Sequence, residues 1–390
     1  MARVLTGLET LLRDKARLLR GKRVGLIAHQ ASVDGSLGHA IDILQSLRGV
    51  RLSALFAPEH GLWGAAQDQA RIPNARDRRT GCRVFSLYGR QRAPTAEMLK
   101  GLDLLVLDLQ DVGARYYTFI WTMALTLAAS GRSGIPLVVL DRPNPLGGTH
   151  VEGNVLDPRF ASFVGLYAIP VVHGMTMGEL ARLFNERYKL GARLEVMPMR
   201  GWRRKMPWGQ TGLHWVAPSP NMPTPETARV YPGACLVEGT NLSEGRGTTR
   251  PFEHVGAPFL DPPAWAEALN RQNLPGVCFR PCSFQPTFHK FKGQLCGGVQ
   301  WHVLDASRFK PYLTGLAVIA TARRLEPRRV RWRKPPYEFE MKKFPFDLLC
   351  GTDMIRRQLE AGRSLRQIES SWQRDLGAFR RLRQRFLLYR

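Results

Sequence analysis

Short apolar runs recur along the first 150 residues, at Val24–Ala28, Leu52–Ala57, Val84–Leu87, Leu104–Leu107 and Leu137–Leu140. Between several of them lie stretches with helical periodicity, over 37–48, 94–100 and 116–130. Continuous apolar strands alternating with helices predict a mainly parallel sheet covered on both faces, an α/β fold. Thr176 and Glu179 form a capping-box pattern that predicts a helix through about Tyr188, and Leu194–Pro198 reads as one more strand. From about residue 200 the chain turns rich in Pro, Gly and Trp, and residues 214–263 read as a long loop of the kind that usually carries function. Mixed signals over 264–271, 297–304, 313–324, 353–361 and 364–376 predict a smaller C-terminal subdomain, α/β or α+β. The expected division is 1–200 for the sheet and 201–390 for the remainder, with a basic end.

In a parallel sheet the ligand crevice lies beyond the carboxyl ends of the strands. Those ends read His29-Gln30-Ala31-Ser32, Pro58-Glu59-His60-Gly61, Asp108-Leu109-Gln110-Asp111 and Asp141-Arg142-Pro143-Asn144. Solvent-facing loops would be polar too, but three acidic strand ends on one edge of a basic protein predict a functional crevice there.

Composition narrows this picture. The chain has 390 residues, 44% apolar and 23% charged, which excludes wholesale disorder and allows a large core. Its net charge is +25, and residues 321–390 carry 19 Lys/Arg against 8 Asp/Glu, so +11 of it lies in the last 70 residues. Trp332, Trp372 and Phe386–Tyr389 make that segment read as folded, with a solvated basic face, and no nucleic-acid partner is expected. A nucleic-acid surface would reveal itself by affinity that collapses with salt. Six scattered cysteines, with no CxxC pair, read as reduced and mostly buried thiols, and no metal is expected. The first 20 residues contain Arg13, Asp14, Lys15 and Arg17 and no apolar signal core, and no run is long enough to span a membrane. The expectation is a cytoplasmic protein, or an exported one if this numbering omits a signal.

Several chemistries are excluded by missing patterns. The first strand is not followed by G-x-G-x-x-G, and the chain has no P-loop, no H-E-x-x-H helix and no G-x-S-x-G elbow. A site rich in Asp, Glu, Asn, Arg, Tyr and His fits carboxylate acid/base work on a polar substrate. At Pro58-Glu59-His60-Gly61 the Pro and Gly predict a sharp turn that presents Glu59 at the sheet edge. Packing near Phe56 and Trp63 would desolvate that carboxyl and raise its pKa toward general-acid use; a surface Glu on a turn is the plain alternative.

Longer motifs carry a resemblance. PEHG (58–61), SLYG (86–89), LDLQDVGARYYTF (107–119), DRPNPLGG (141–148), HGMTMGELA (173–181), PSPNMPT (218–224), YPGACLVEGTNLSEGRGTTRPFE (231–253) and GAPF (256–259) resemble the NamZ-type exo-β-N-acetylmuramidases, formerly a domain of unknown function. The resemblance covers about residues 20–390 and implies a Rossmann-like domain joined to a smaller C-terminal subdomain, with the cleft between them. It implies release of the terminal, non-reducing β-linked N-acetylmuramic acid from peptidoglycan fragments, with Glu59 as the catalytic glutamate. Ala65-Ala66-Gln67-Asp68-Gln69 departs from the acidic or Ala-Gly pair usual after this motif, which bears on the rim of the loop.

Glycoside hydrolysis commonly pairs one protonated carboxyl with a second group: nucleophile, base or the substrate's own acetamide. Glu59 is the expected general acid. Asp108 and Asp111, with Glu238 and Glu244 in the long loop, are the expected second groups, and the three routes stay open. The lactyl carboxylate of the substrate calls for a planar cation, for which Arg115, Arg142 and Arg246 lie inside the motifs. Tyr117 (or Tyr116) is expected to stack on the sugar. His60, Asp141, Asn144, His173, Asn221 and Asn241 complete the expected substrate-binding set, though turn or loop roles account for several equally well. No cofactor is expected, and the partner is a peptidoglycan-derived saccharide. Alternatives are a muropeptide-binding or sensing protein without turnover, and a glycosidase for another amino sugar.

Overall fold

Each of the five apolar runs is a strand. The computed structural model describes residues 3–70 and 72–390. In chain order the strands are β1 (Arg23–Ala28), β2 (Arg51–Ala57), β3 (Ala75–Arg76), β4 (Arg83–Ser86), β5 (Leu104–Asp108), β6 (Leu137–Leu140), β7 (Glu152–Val155), β8 (Pro170–Val172), β9 (Leu194–Met197), β10 (His254–Ala257), β11 (Val277–Phe284) and β12 (Cys296–Val303). Seven form the main sheet, in the order β3-β4-β2-β1-β5-β6-β9. All its pairings are parallel except that of the short edge strand β3. The register sets Ala28 beside Asp108 and Ile27 beside Phe56, so the strands end together along one edge.

Alternation along the strands explains why both faces are covered. Ile27, Phe56, Leu105, Leu107 and Val139 enter one apolar cluster, while Leu26, Leu55, Val106, Val138 and Leu140 enter the other. Helices Gly7–Asp14 and Ala40–Ser46 cover the second face through Leu8, Leu11, Ile41 and Leu44. Helices Phe119–Ser133 and Met177–Arg187 cover the first. Burying each such Leu, Ile or Phe side chain contributes about 1.5–3 kcal/mol, and packing of this kind fixes the strand ends in space.

The first cluster continues through helices Pro225–Ala234 and Pro311–Leu325 to the antiparallel sheet β10-β12-β11, at Val255, Val299 and Trp301. Those two helices touch backbone to backbone: a Cβ on Gly233 would lie 1.9 Å from the Pro311 carbonyl, so only glycine fits. The segment 214–263 is therefore not one long loop. Thr224 caps the helix at Pro225–Ala234 with Pro225 in its first turn, a start signal that the Pro-rich surroundings mask. The 277–284 strand, which pairs along all of β12, carried no sequence signal because the exposed Arg280 and Pro281 interrupt its apolar pattern. The basic end is folded: Tyr389 donates its hydroxyl to Asp141 at 2.5 Å, and the Leu388 amide donates to Glu179 at 2.8 Å. All six cysteines are free thiols, four of them buried. Among the described residues no helix is long and apolar enough to cross a membrane.

Candidate active site

Beyond the strand ends a narrow cleft is lined by Glu59, His60, Asp68, Tyr117, Thr118, Asn221, Tyr231, Glu238, Arg246, Tyr337 and Glu338, among others. Its lining comes from the loop after β2, the start of helix Phe119–Ser133, the Pro-rich loop, the turn before β10 and a distant C-terminal turn. It sits where both halves of the chain meet.

Glu59 is buried two residues past the end of β2, and the turn that follows has His60 at φ +70° and Gly61 at φ +82°. Thr118 stands at the N-cap of helix Phe119–Ser133, yet its side chain makes no cap. Its hydroxyl instead donates to Glu59 Oε2 at 2.7 Å, while the Gln69 amide donates to Oε1 at 3.3 Å. His60 is held by its ring Nδ1 donating to the Ala66 carbonyl at 2.9 Å. Trp63 does not cover Glu59, as its position suggested. Its ring is 47% exposed, beneath the Arg79 guanidinium and against His39. Thr118, Tyr117 and the rest of the cleft supply the burial.

Arg246 gathers the acidic lining. It donates to Glu238 at 2.7 Å, faces Asp68 at 3.2 Å and Glu244 at 3.3 Å, and lies over the Phe252 ring. Tyr337 donates its hydroxyl to the other oxygen of Glu238 at 2.7 Å. Asn221 lines the wall and donates to Gln67 Oε1 at 2.9 Å. Of the expected set, the structure thus brings Glu59, His60, Tyr116, Tyr117, Asn221, Glu238 and Arg246 together.

The others lie outside this lining, for identifiable reasons. Asp108 is fully buried and bound by Arg142 through two contacts of 2.5 and 2.8 Å, so neither reaches the cleft. Asp111 accepts from the Gly113 amide at 2.8 Å and faces His173 at 3.3 Å, and His173 Nδ1 accepts from the Met175 amide. Arg115 is a buried clamp on four backbone carbonyls, of Asn154, Ile169, Leu349 and Cys350. Asp141 accepts from Thr176, Gly178 and Tyr389, and burial pushes its pKa up to about 6 against those donors. Asn144 closes a turn with Leu146 and Met175, and Asn241 pairs with the backbone of Arg329 and Arg331. Glu244 lies behind Arg246; burial favours its acid form, but Lys290, His289 and Arg246 hold it well below the usual carboxylate range.

Sequence reasoning missed Asp68, Thr118, Ser219, Tyr337 and Glu338. Glu338 is buried and accepts the Tyr88 hydroxyl at 3.0 and 3.2 Å on its two oxygens. Burial, followed by the negative charge of Glu59, raises its pKa well above the usual carboxylate range. Among the described residues no group of three His, Cys, Asp or Glu side chains could hold a metal ion.

Comparison with known proteins places this geometry. The family model described as the N-terminal part of exo-β-N-acetylmuramidase NamZ matches residues 24–226, and that of its C-terminal part matches 229–389. The chain belongs to the NamZ family. A curated NamZ relative, the peptidoglycan β-N-acetylmuramidase of Bacillus subtilis, is 49% identical over 387 residues, 99% of this chain and 92% of that protein. Two crystal structures of DUF1343 family proteins from Bacteroides fragilis share the fold. One has a TM-score of 0.91 at 38% identity, covering 100% of both chains. The other has a TM-score of 0.79 at 28% identity, covering 100% of this chain and 99% of that one.

Proposed function

We propose that the chain is an exo-acting glycosidase that hydrolyses the terminal, non-reducing β-linked N-acetylmuramic acid from peptidoglycan fragments. The observation that carries this reading is Glu59, buried in a carboxylate-lined cleft within a chain 49% identical, nearly end to end, to a peptidoglycan β-N-acetylmuramidase. Hydrolysis of a glycoside needs carboxyls that can both give up and take a proton beside the scissile bond. Glu59 is one of them, oriented by Thr118 and the Gln69 amide. Tyr117 and Tyr231 offer aromatic surface to the sugar, and Ser219 and Asn221 offer polar groups to its hydroxyls and acetamide.

The lining also bears on how the acid is bound. Of the three arginines expected to meet the lactyl carboxylate, only Arg246 lines the cleft, and its charge is shared among three carboxylates. Arg246 acts first to balance and position that acidic wall.

The test is turnover of a chromogenic β-N-acetylmuramide, with the matching β-N-acetylglucosaminide as control. Release from the muramide alone, falling about 100-fold or more in Glu59→Gln, is the expected result. A folded wild type inert on both substrates would overturn the assignment.

A further inference from the structure

Four carboxyl side chains line the cleft: Glu59, Asp68, Glu238 and Glu338. Arg246 neutralises Asp68 and Glu238. Among the described residues, Glu59 and Glu338 have no cation within 4.0 Å. A buried carboxyl without a cation is costly to ionise, and two facing each other favour a state in which one keeps its proton. Other buried acids of this protein follow the opposite pattern, as in Asp108 with Arg142, Glu179 with Arg204 and Asp347 with Arg356.

The backbone at Glu338 is an independent sign. Tyr337 and Glu340 exchange both backbone hydrogen bonds, at 3.0 and 2.9 Å, closing a two-residue turn. Its two central residues, Glu338 at φ +46° and Phe339 at φ +68°, are both left-handed. That turn normally takes Asn-Gly, and a glutamate followed by a phenylalanine is strained in it. Phe339, 45% exposed, meets Tyr88 at 5.5 Å, and Arg92 lies over both Phe339 and Phe163. The result is to aim the Glu338 side chain into the cleft, under the Tyr88 hydroxyl.

We propose that Glu338 is the second catalytic carboxyl of the site and delivers the proton to the leaving glycosidic oxygen, with Glu59 acting as the carboxylate. This moves the acid role from Glu59 to Glu338, and it rests on the muramidase reading. The bond between the anomeric carbon and the glycosidic oxygen breaks, and that oxygen leaves as an alcohol with the proton from Glu338. Water supplies the hydroxyl at the anomeric carbon, and its remaining proton returns to the carboxyl pair. Glu59, which accepts from the Thr118 hydroxyl and the Gln69 amide, faces the positive charge that develops on the sugar. Besides Glu59 and Tyr88, Glu238 and Asp68 are the charged groups that bear on Glu338, and all of them favour its acid form except the Tyr88 hydroxyl, which stabilises the anion.

The experiment measures kcat/KM against pH for wild type, Glu338→Gln and Tyr88→Phe, on the muramic acid–glucosamine disaccharide and on the 4-nitrophenyl muramide. Nitrophenolate leaves without protonation, so Glu338→Gln is expected to lose about 100-fold on the disaccharide and much less on the nitrophenyl substrate. It should also lose the basic limb of the pH profile. Tyr88→Phe keeps the carboxyl but removes a donor that lowers its pKa, so its basic limb moves to higher pH. Equal losses on both substrates with the basic limb intact would reduce Glu338 to a scaffold residue and overturn the proposal. So would Glu338→Gln matching wild type on the disaccharide, or, if that variant does not fold, an unmoved limb in Tyr88→Phe. Each of these outcomes requires an active wild type and leaves the muramidase reading standing; an inert wild type overturns both.

Discussion

Arg142 grips Asp108 at 2.5 and 2.8 Å beneath the strand ends, with both side chains buried and neither in the cleft. The pair holds the end of β5 to the loop after β6, and Arg142 also donates to the Val33 carbonyl. Removing one partner strands the other's charge in the interior. Arg142→Met is expected to cost about 3–5 kcal/mol in urea unfolding, while kcat of the folded fraction changes little. A large loss of kcat with full stability would show that Asp108 acts in the chemistry after all.

Arg246 is a different case, because its fork serves the cleft directly. Lysine keeps the charge but reaches fewer of Glu238, Asp68 and Glu244. Losing a charge-assisted hydrogen bond costs about 1.5–3 kcal/mol, so Arg246→Lys is expected to lower kcat/KM roughly 10–100-fold. Steady-state kinetics on the chromogenic muramide measures this.

The raised pKa of Glu338 has a consequence for stability. The folded state holds this proton more tightly than the unfolded chain, so the contribution is complete below the unfolded value of about 4.3 and is lost as pH rises through the folded value. Glu338→Gln removes that loss. Its unfolding midpoint is expected to exceed that of wild type at pH 8 and to approach it near pH 4.

His29 shows the opposite sign. Burial, with Arg142 nearby, lowers its pKa to about 3. The neutral ring donates from Nδ1 to the Pro218 carbonyl at 3.3 Å and accepts the Gln110 amide on Nε2 at 3.0 Å, tying β1 to the Pro-rich wall of the cleft. The stability it contributes is present above the unfolded value of about 6.5 and fades as pH falls toward the folded one. Urea midpoints measured from pH 7 to pH 4 should fall in wild type and fall less steeply in His29→Asn.

The sheet was legible because its strands are buried on both faces and therefore read as unbroken apolar runs. Glu59 was legible because a strand end, a proline and a glycine frame it within nine residues. The other motifs showed equally polar residues, but Arg115, Asp141, Asn144 and His173 spend that polarity on backbone groups that the fold buries. Sequence composition does not distinguish a carboxylate facing substrate from one facing an amide. Glu338 was the hardest to find: it lies in a basic, Pro-containing stretch without periodicity, and its importance depends on a turn that its own residue type disfavours.

That turn sets a trap for stability engineering. Each non-glycine residue in a left-handed conformation costs about 1–2 kcal/mol, so any procedure that rewards local backbone ease will favour Asn-Gly at 338 and 339. On the proposed mechanism such a design would melt at a higher temperature and no longer protonate its leaving group. Thermostabilised versions of this enzyme should therefore be selected by turnover, with positions 338 and 339 left unchanged.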